Sequence, residues 1–323
     1  MLARRLVLTL WIAATLPMLG ADASAQDKIR VGNNPLAASL PLYVGMANGY
    51  FKEAQLELEL TRLLGGPPNL AALIAGQIDV ASNLTTIDGI NGNIKKPGVA
   101  MYIAINAQNR TYKMEQFMVR KGLGVTTIAG LKGKKILTAP GPANLTMARA
   151  VLKANGVNEG EYQLDQLDLG QHVNALVSGT ADAAYTLEPA GSILRKLGAA
   201  ETLEYGIVAK YVLGDADANG WIAGTAMSSD FLKAKPDVAR RFAVAWAKAI
   251  KFIEANPAEA RKSLAKNTLT PDDVVDTVPL VKFTMTQDLT AKDVADFQTF
   301  IDFSSNNGIL SEKFDVSKAL HKF

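Results

Sequence analysis

The chain has 323 residues, 48% of them hydrophobic and 20% charged, which is ample apolar material for a core and more length than one domain usually takes. Its 34 basic and 31 acidic residues leave a formal net charge of +3, a balance that argues against nucleic acid as the main partner. With no cysteine and only two histidines, disulfides and thiolate metal sites are excluded, and imidazole metal clusters or Ser-His-Asp catalysis have almost no raw material.

In chain order, Met1 to Ala25 opens with Arg4 and Arg5, continues as an apolar run from Leu6 to Leu19 and ends in Ala23-Ser24-Ala25. That is the pattern of a cleaved secretory signal, and the apolar run is shorter than the ~20 residues a membrane span needs. The expectation is export to the periplasm with cleavage after residue 25. Without a cysteine at the new terminus, no lipid anchor is expected.

Asp27 to Val31 reads as a strand running into the turn-rich Gly32-Asn33-Asn34-Pro35. A helix follows through Ala47, and Leu40 and Tyr43 in its first turn join Asn34 as candidate ligand contacts. Leu56 to Leu60 alternates with the period of a strand and exits through Gly65, Gly66, Pro67 and Pro68. Such glycines let backbone amides approach a ligand at the start of a helix, although a lone Gly-Gly is also an ordinary turn.

One unit then occurs twice. Ala72-Leu-Ile-Ala-Gly76-Gln-Ile-Asp79-Val-Ala81 is echoed 103 positions later as Ala175-Leu-Val-Ser-Gly179-Thr-Ala-Asp182-Ala-Ala184. Each copy reads as a helix stopped by a left-handed glycine, an aspartate in the turn and a short buried strand. The strands deliver polar loops, Asn83 to Thr86 and Tyr185 to Pro189, at the carboxyl end of the sheet, where open α/β sheets bind ligands. Asn34, Gly66 and Asn83 all fall just past strands of one sheet and are expected to share one edge, and Thr85 joins them as a candidate ligand contact.

Gly49-Tyr-Phe-Lys-Glu53, Gly65-Gly66-Pro67, the first repeat, Leu131-Lys-Gly-Lys-Lys-Ile136 and Leu187-Glu188-Pro189, in that order, resemble the nitrate/sulfonate/taurine-type solute-binding proteins of ABC transporters, which include binders of thiamine-pyrimidine precursors. The resemblance runs from about Ile29 to about Asn256. It implies an α/β, two-lobed periplasmic binding protein type II fold with two crossing strands at the hinge. It also implies a small-molecule ligand in the cleft, an ABC permease in the inner membrane as partner, a monomer, and neither catalysis nor cofactor. Residues 26–115 and 222–323 are expected to form the first lobe and 116–221 the second.

Gly98 to Ile105 reads as a further buried strand, and Phe117 to Arg120 and Asp217 to Met227 as the two crossings. Arg110, near the first, is expected at the surface. In the second lobe Gly141 and Asn144, between a strand and a helix, occupy the place of Gly65 and Gly66, and a helix amino terminus there suits a carboxylate or sulfonate. Glu188 has two readings, a carboxylate facing a ligand or one paired with a basic residue or capping a helix; the resemblance puts it on the cleft wall. Trp221 either stacks on a ligand or packs at the hinge, and the resemblance places it near the cleft mouth. His172 reads as a surface helix residue. Helices are expected from Pro236 to Asn256 and around 258–266, 271–280 and 291–306.

The leading expectation is therefore a periplasmic substrate-binding subunit that takes a small organic solute. The mostly uncharged candidate set favours a sulfonate, a heteroaromatic or another polar or zwitterionic molecule over an inorganic dianion. Two alternatives stand beside it. An enzyme resembling the thiamine-pyrimidine synthases would share the fold but lacks the cysteines of that chemistry, and a periplasmic ligand sensor would use the same lobes.

Overall fold

Strand pairing follows from the alternation of the first two apolar runs. Ile29 and Val31 are fully buried while Lys28 and Arg30 point outward, and residues 27–33 pair in parallel with 56–62, from Asp27 opposite Leu56 to Asn33 opposite Arg62. The computed structural model describes residues 26–268 and 270–323. The expected signal segment, 1–25, lies outside the described residues.

The elements in order are β1 (Asp27–Asn33), α1 (Leu40–Ala47), α2 (Tyr50–Glu53), β2 (Leu56–Arg62), α3 (Gly66–Ile74), β3 (Val80–Thr85), α4 (Thr86–Lys95) and β4 (Met101–Gln108). There follow β5 (Glu115–Arg120), β6 (Lys135–Thr138), α5 (Pro142–Ala154), β7 (Gln163–Gln166), α6 (Leu169–Ser178), β8 (Ala183–Leu187), α7 (Ala190–Lys196) and β9 (Ala200–Tyr205). The chain ends with α8 (Ile207–Tyr211), β10 (Gly220–Met227), α9 (Ser229–Ala234), α10 (Pro236–Ala255), α11 (Pro257–Asn267), β11 (Lys282–Met285) and α12 (Ala291–Asn306).

The strands form two sheets, one of order β11-β4-β10-β3-β1-β2 and one of order β7-β6-β8-β5-β9. In the larger sheet β1, β2 and β3 are parallel, and in the smaller β6, β7 and β8 are. The chain passes between sheets twice, at 109–114 and at 206–219. These passages are not where the sequence put them. Residues 117–120 lie inside β5 between β8 and β9, and most of 217–227 is β10, the strand between β4 and β3. Each reads as apolar and extended because it is an interior strand. The true passages are tied together: Arg110 pairs with Asp217, its amide donates to the Ala216 carbonyl at 3.1 Å, and Asn109 Nδ2 donates to the Asp217 carbonyl at 3.3 Å.

The two repeated units form as read. Gly76 and Gly179 take φ of 65° and 75°, the left-handed turn that ends α3 and α6. Their aspartates do the same work: Asp79 accepts from the Arg30 amide at 2.9 Å and Asp182 from the Lys135 amide at 3.0 Å, and an arginine pairs with each, Arg30 and Arg120 respectively.

One core lies under α1, α10 and α11, where Phe242 stacks on Trp246 with centroids 5.5 Å apart and meets Phe51 at 5.1 Å. A second fills the opposite face of the larger sheet and continues through Trp221, Phe117 and Tyr185 to α5. The expected helix over 271–280 is only a 3-10 turn at Val275–Thr277, followed by the unpredicted β11. Three valines and Pro279 in that stretch disfavour a continued helix, and β4 offers Lys282 to Met285 a free edge.

Candidate functional site

Because β1 to β3 are parallel, and β6 to β8 likewise, α1, α3 and α4 begin at one edge of the first sheet and α5, α6 and α7 at the corresponding edge of the second. The sequence at three of these starts is unusual. In α1, α3 and α5 a proline occupies one of the first two positions, no side chain caps the helix, and no acidic residue stands in the first turn. Other ends are neutralised: α10 and α11 also open with proline but carry Asp237 and Glu259, and α12 has a full capping box. α1 continues from the 3-10 turn at Ala37–Ser39, with the Leu40 amide bonded to the Ala37 carbonyl, whereas α3 and α5 begin at the sheet edges with a positive dipole end, an arrangement that suits an anion.

In the first lobe the Asn34 carbonyl accepts from the Ser39 hydroxyl at 2.6 Å, and the Tyr43 hydroxyl donates to Asn33 Oδ1 at 2.8 Å. Leu40 and Tyr43 are fully buried in the core, so they brace this loop rather than line a cleft. Gly65 has a φ of 85°, and a Cβ on Gly66 would fall 1.9 Å from Asp88 Oδ2 and 2.8 Å from Thr85 Oγ1. Thr85 caps α4 and its hydroxyl is bonded to the Asp88 carboxyl, whose pKa burial raises. Asn83 is buried and accepts from Asn106 Nδ2 at 3.1 Å.

In the second lobe Gly141 has a φ of 112° and its amide donates to Gln166 Oε1 at 2.7 Å. Asn144 turns inward to the Pro140 carbonyl at 2.9 Å. The first lobe has the same device: Asn69 Nδ2 reaches the Gly65 carbonyl at 2.7 Å and that of Leu63 at 3.0 Å. Gly66-Pro67-Pro68-Asn69 and Gly141-Pro142-Ala143-Asn144 are one motif, and its asparagine folds the loop. Sequence reading matched the two loops, made Asn144 a ligand contact and passed over Asn69.

Glu188 is not on a cleft wall. It is fully buried, Oε1 accepts from Gln116 at 2.8 Å and from Arg195 at 2.7 Å, and Oε2 accepts from the Ser192 amide at 2.9 Å. The pairing and capping reading prevails because both carboxylate oxygens are taken within the second lobe. Trp221 is likewise fully buried, with Lys282 5.4 Å above its ring and its carbonyl accepting from the Thr86 hydroxyl at 2.9 Å. His172 is buried rather than on the surface: Nε2 lies 2.8 Å from the Leu167 carbonyl and Nδ1 3.0 Å from the Thr186 hydroxyl, while burial lowers its pKa.

The structure adds residues the sequence did not single out. Asn106 and Gln108 end β4, Glu115 begins β5 and Tyr185 lies on β8, all buried. The Glu115 amide donates to Gln108 Oε1 at 2.7 Å, and the Tyr185 hydroxyl donates to the Glu115 carboxylate. Burial pushes the Glu115 pKa up to about 7, only partly offset by Tyr185 and the Gln108 amide. The available signal was polar residues ending and opening two buried strands.

Residues 37–260 match the family model described as NMT1/THI5 like. The chain is 24% identical over 244 residues to a Bacillus subtilis (strain 168) protein named for binding aliphatic sulfonates, covering 72% of this chain and 68% of that protein. Among solved structures it is similar to the alkanesulfonate-binding protein SsuA from Xanthomonas axonopodis pv. citri bound to MOPS, at 20% identity and a TM-score of 0.72, over 93% of this chain and all of that one. The periplasmic nitrate-binding protein NrtA from Synechocystis PCC 6803 gives 16% identity and a TM-score of 0.73, over 92% and 86%. A desulfurization enzyme, DSZB, shares the architecture at a TM-score of 0.67 and 15% identity, over 91% and 96%. The fold is that of the periplasmic binding proteins, and with the family model spanning more than half its length the chain belongs to the NMT1/THI5 like family.

Proposed function

We propose that this protein is the substrate-binding subunit of an ABC importer, exported to the periplasm, and that it captures a small organic sulfonate between two lobes, residues 26–115 with 222–323 and residues 116–221. The observation that carries the reading is the pair of proline-opened, uncapped helix ends of α3 and α5, with no acidic residue in the first turn, at corresponding sheet edges, while the proline-opened α10 and α11 carry an acidic residue there. A sulfonate needs several donors around a diffuse charge, and backbone amides at helix ends supply them. Relatives named for sulfonate binding support the same class. Closure of the lobes would then withdraw the ligand from water and present a changed shape to the permease.

The test is calorimetric titration of the purified protein with alkanesulfonates, nitrate, amino acids and pyrimidine precursors, alongside Pro142→Asp. Pro142 is exposed at the first position of α5, so an aspartate there suits the helix but opposes an anion. A sulfonate should bind, and its affinity should fall about tenfold in the variant with the melting temperature unchanged. Tight binding of a neutral compound, unaffected by Pro142→Asp, would overturn the anion reading. Net conversion of a bound sulfonate would favour an enzyme.

A further inference from the structure

A cavity of about 610 Å³ lies between the two sheets and away from the helix starts, a size within the range of small-molecule sites. Strand order fixes its place. It is walled by Lys282 and Phe283 at the start of β11 and by Tyr205 at the end of β9, the outermost strands beyond β4 and β5. The starts of α3 and α5 follow β2 and β6, on the other side of β4 and β5. The first passage, through Tyr112 and Lys113, runs along the cavity, and none of Asn34, Gly66, Asn83, Thr85, Gly141 and Asn144 lines it.

Its lining is unevenly charged. Among the described residues that line it, Lys113, Arg195, Arg261 and Lys282 stand against one acid, Glu254. Arg195 is spent on Glu188, and Lys282 has Asp293 only at 3.9 Å. Lys113 and Arg261 belong to none of the ion pairs among the described residues. Arg261 Nε donates to the Val278 carbonyl at 2.7 Å, and the Lys113 amine stands 4.7 Å from the centre of the Tyr205 ring, which Arg195 also flanks at 5.6 Å. Cations gathered on one concave wall repel one another and focus a positive potential, which an anion relieves.

The walls also belong to both sheets. Arg195 and Tyr205 come from the side of the smaller sheet, and Arg261 and Lys282 from the side of the larger. Beside the cavity the Ser192 hydroxyl donates to the Thr277 carbonyl at 3.4 Å and Lys196 pairs with Asp273 at 3.5 Å, so α7 rests on the segment that forms one wall.

We propose that this cavity is a second binding site, taking a small multivalent anion, a polycarboxylate or phosphate, against Lys113, Arg261 and Lys282, and that its occupant restrains the angle between the sheets. Because the cavity and the helix starts lie on opposite sides of the passages, bending that closes one opens the other. An anion in the cavity therefore lowers the affinity of the helix-start site, and the solute lowers that of the anion by the same factor. The anion site does not depend on the sulfonate reading; the coupling rests on it.

The test titrates citrate and inorganic phosphate into the protein by calorimetry, at an ionic strength held constant with sodium chloride, in wild type, Lys113→Gln, Lys113→Arg and Lys282→Gln. At least one of the two anions should bind at one site per chain. Its affinity should fall about tenfold in Lys113→Gln, the scale of one charge-assisted hydrogen bond, and largely return in Lys113→Arg. Lys282→Gln should weaken it similarly, which keeps the idea testable if Lys113→Gln disturbs the Tyr205 ring. Ethanesulfonate should bind about fivefold more weakly at saturating anion, reaching a plateau, and equally well in wild type and Lys113→Gln without it. Failure of both anions to bind, or equal binding by wild type and both glutamine variants, would overturn the site and leave the sulfonate reading standing. A fall in ethanesulfonate affinity that never levels off would put the anion in the sulfonate's own site and overturn the proposal, and no fall at all would overturn the coupling. Anion binding as expected with no binding of ethanesulfonate would overturn the sulfonate reading and leave the second site standing.

Discussion

The two Gly-Pro-x-Asn loops start from one four-residue pattern and end in different surroundings. In the first lobe Gly66 is pressed against Asp88 and Thr85, and Asn69 is fully buried with two carbonyls on its amide. In the second, a Cβ on Gly141 would meet nothing within 4 Å, and the partly exposed Asn144 holds a single carbonyl. The first loop is therefore set by tertiary packing and the second mainly by its own backbone. What steadies the second lobe at this edge is elsewhere, in the buried Glu188 and its ties to Gln116, Ser192 and Arg195.

That contrast can be broken at its strongest point first. Arg195→Met removes the cation paired with a fully buried carboxylate and should cost about 3 to 4 kcal/mol in denaturant unfolding. A loss below about 1 kcal/mol would show that Gln116 and Ser192 satisfy Glu188 unaided. The glycines come next. Gly66→Ala must displace Asp88 from its bond to Thr85 and should cost about 2 kcal/mol, whereas Gly141→Ala is sterically free but sits at φ 112° and ψ 153°, a region nearly reserved for glycine, and should cost about 1.5 kcal/mol through backbone strain alone. No loss in Gly66→Ala would show that packing does not set the first loop, and no loss in Gly141→Ala would show that the second relaxes its backbone. The asparagines give the smallest step: Asn69→Ala should cost about 1.5 kcal/mol and Asn144→Ala about 0.5 kcal/mol, read as melting temperatures of the paired variants.

Legibility followed the range of the forces involved. Gly76 and Gly179, the alternation of β1 and β2, and the apolar stripe of α10 through Phe242, Trp246 and Ile253 are local patterns, and all formed as expected. The edge where the helices start was also readable, since strand, turn and Gly-Pro helix start follow one another along the chain. The partners of individual side chains were not. Glu188 finds Arg195 one α7 away but Gln116 at a distance of 72 positions, and no local pattern reveals the second. Asn69 and Asn144 look alike and free in sequence, and only the path of the loop shows that each is spent on its own backbone. Glu115 was hidden by its position at the head of an apolar strand, because a carboxylate there is legible only once Tyr185 and Gln108 are known to close over it.

The paired passages at 109–114 and 206–219 carry a mechanical consequence. Arg110 with Asp217, and the backbone bond from Arg110 to Ala216, lash them side by side, so sliding one past the other would break these ties while bending both together keeps them. Under the proposed function such a joint would bend along one coordinate. A captured solute would then set a single angle, and a partner protein reading the outer surface of both sheets would receive occupancy as one number, whatever the solute's chemistry.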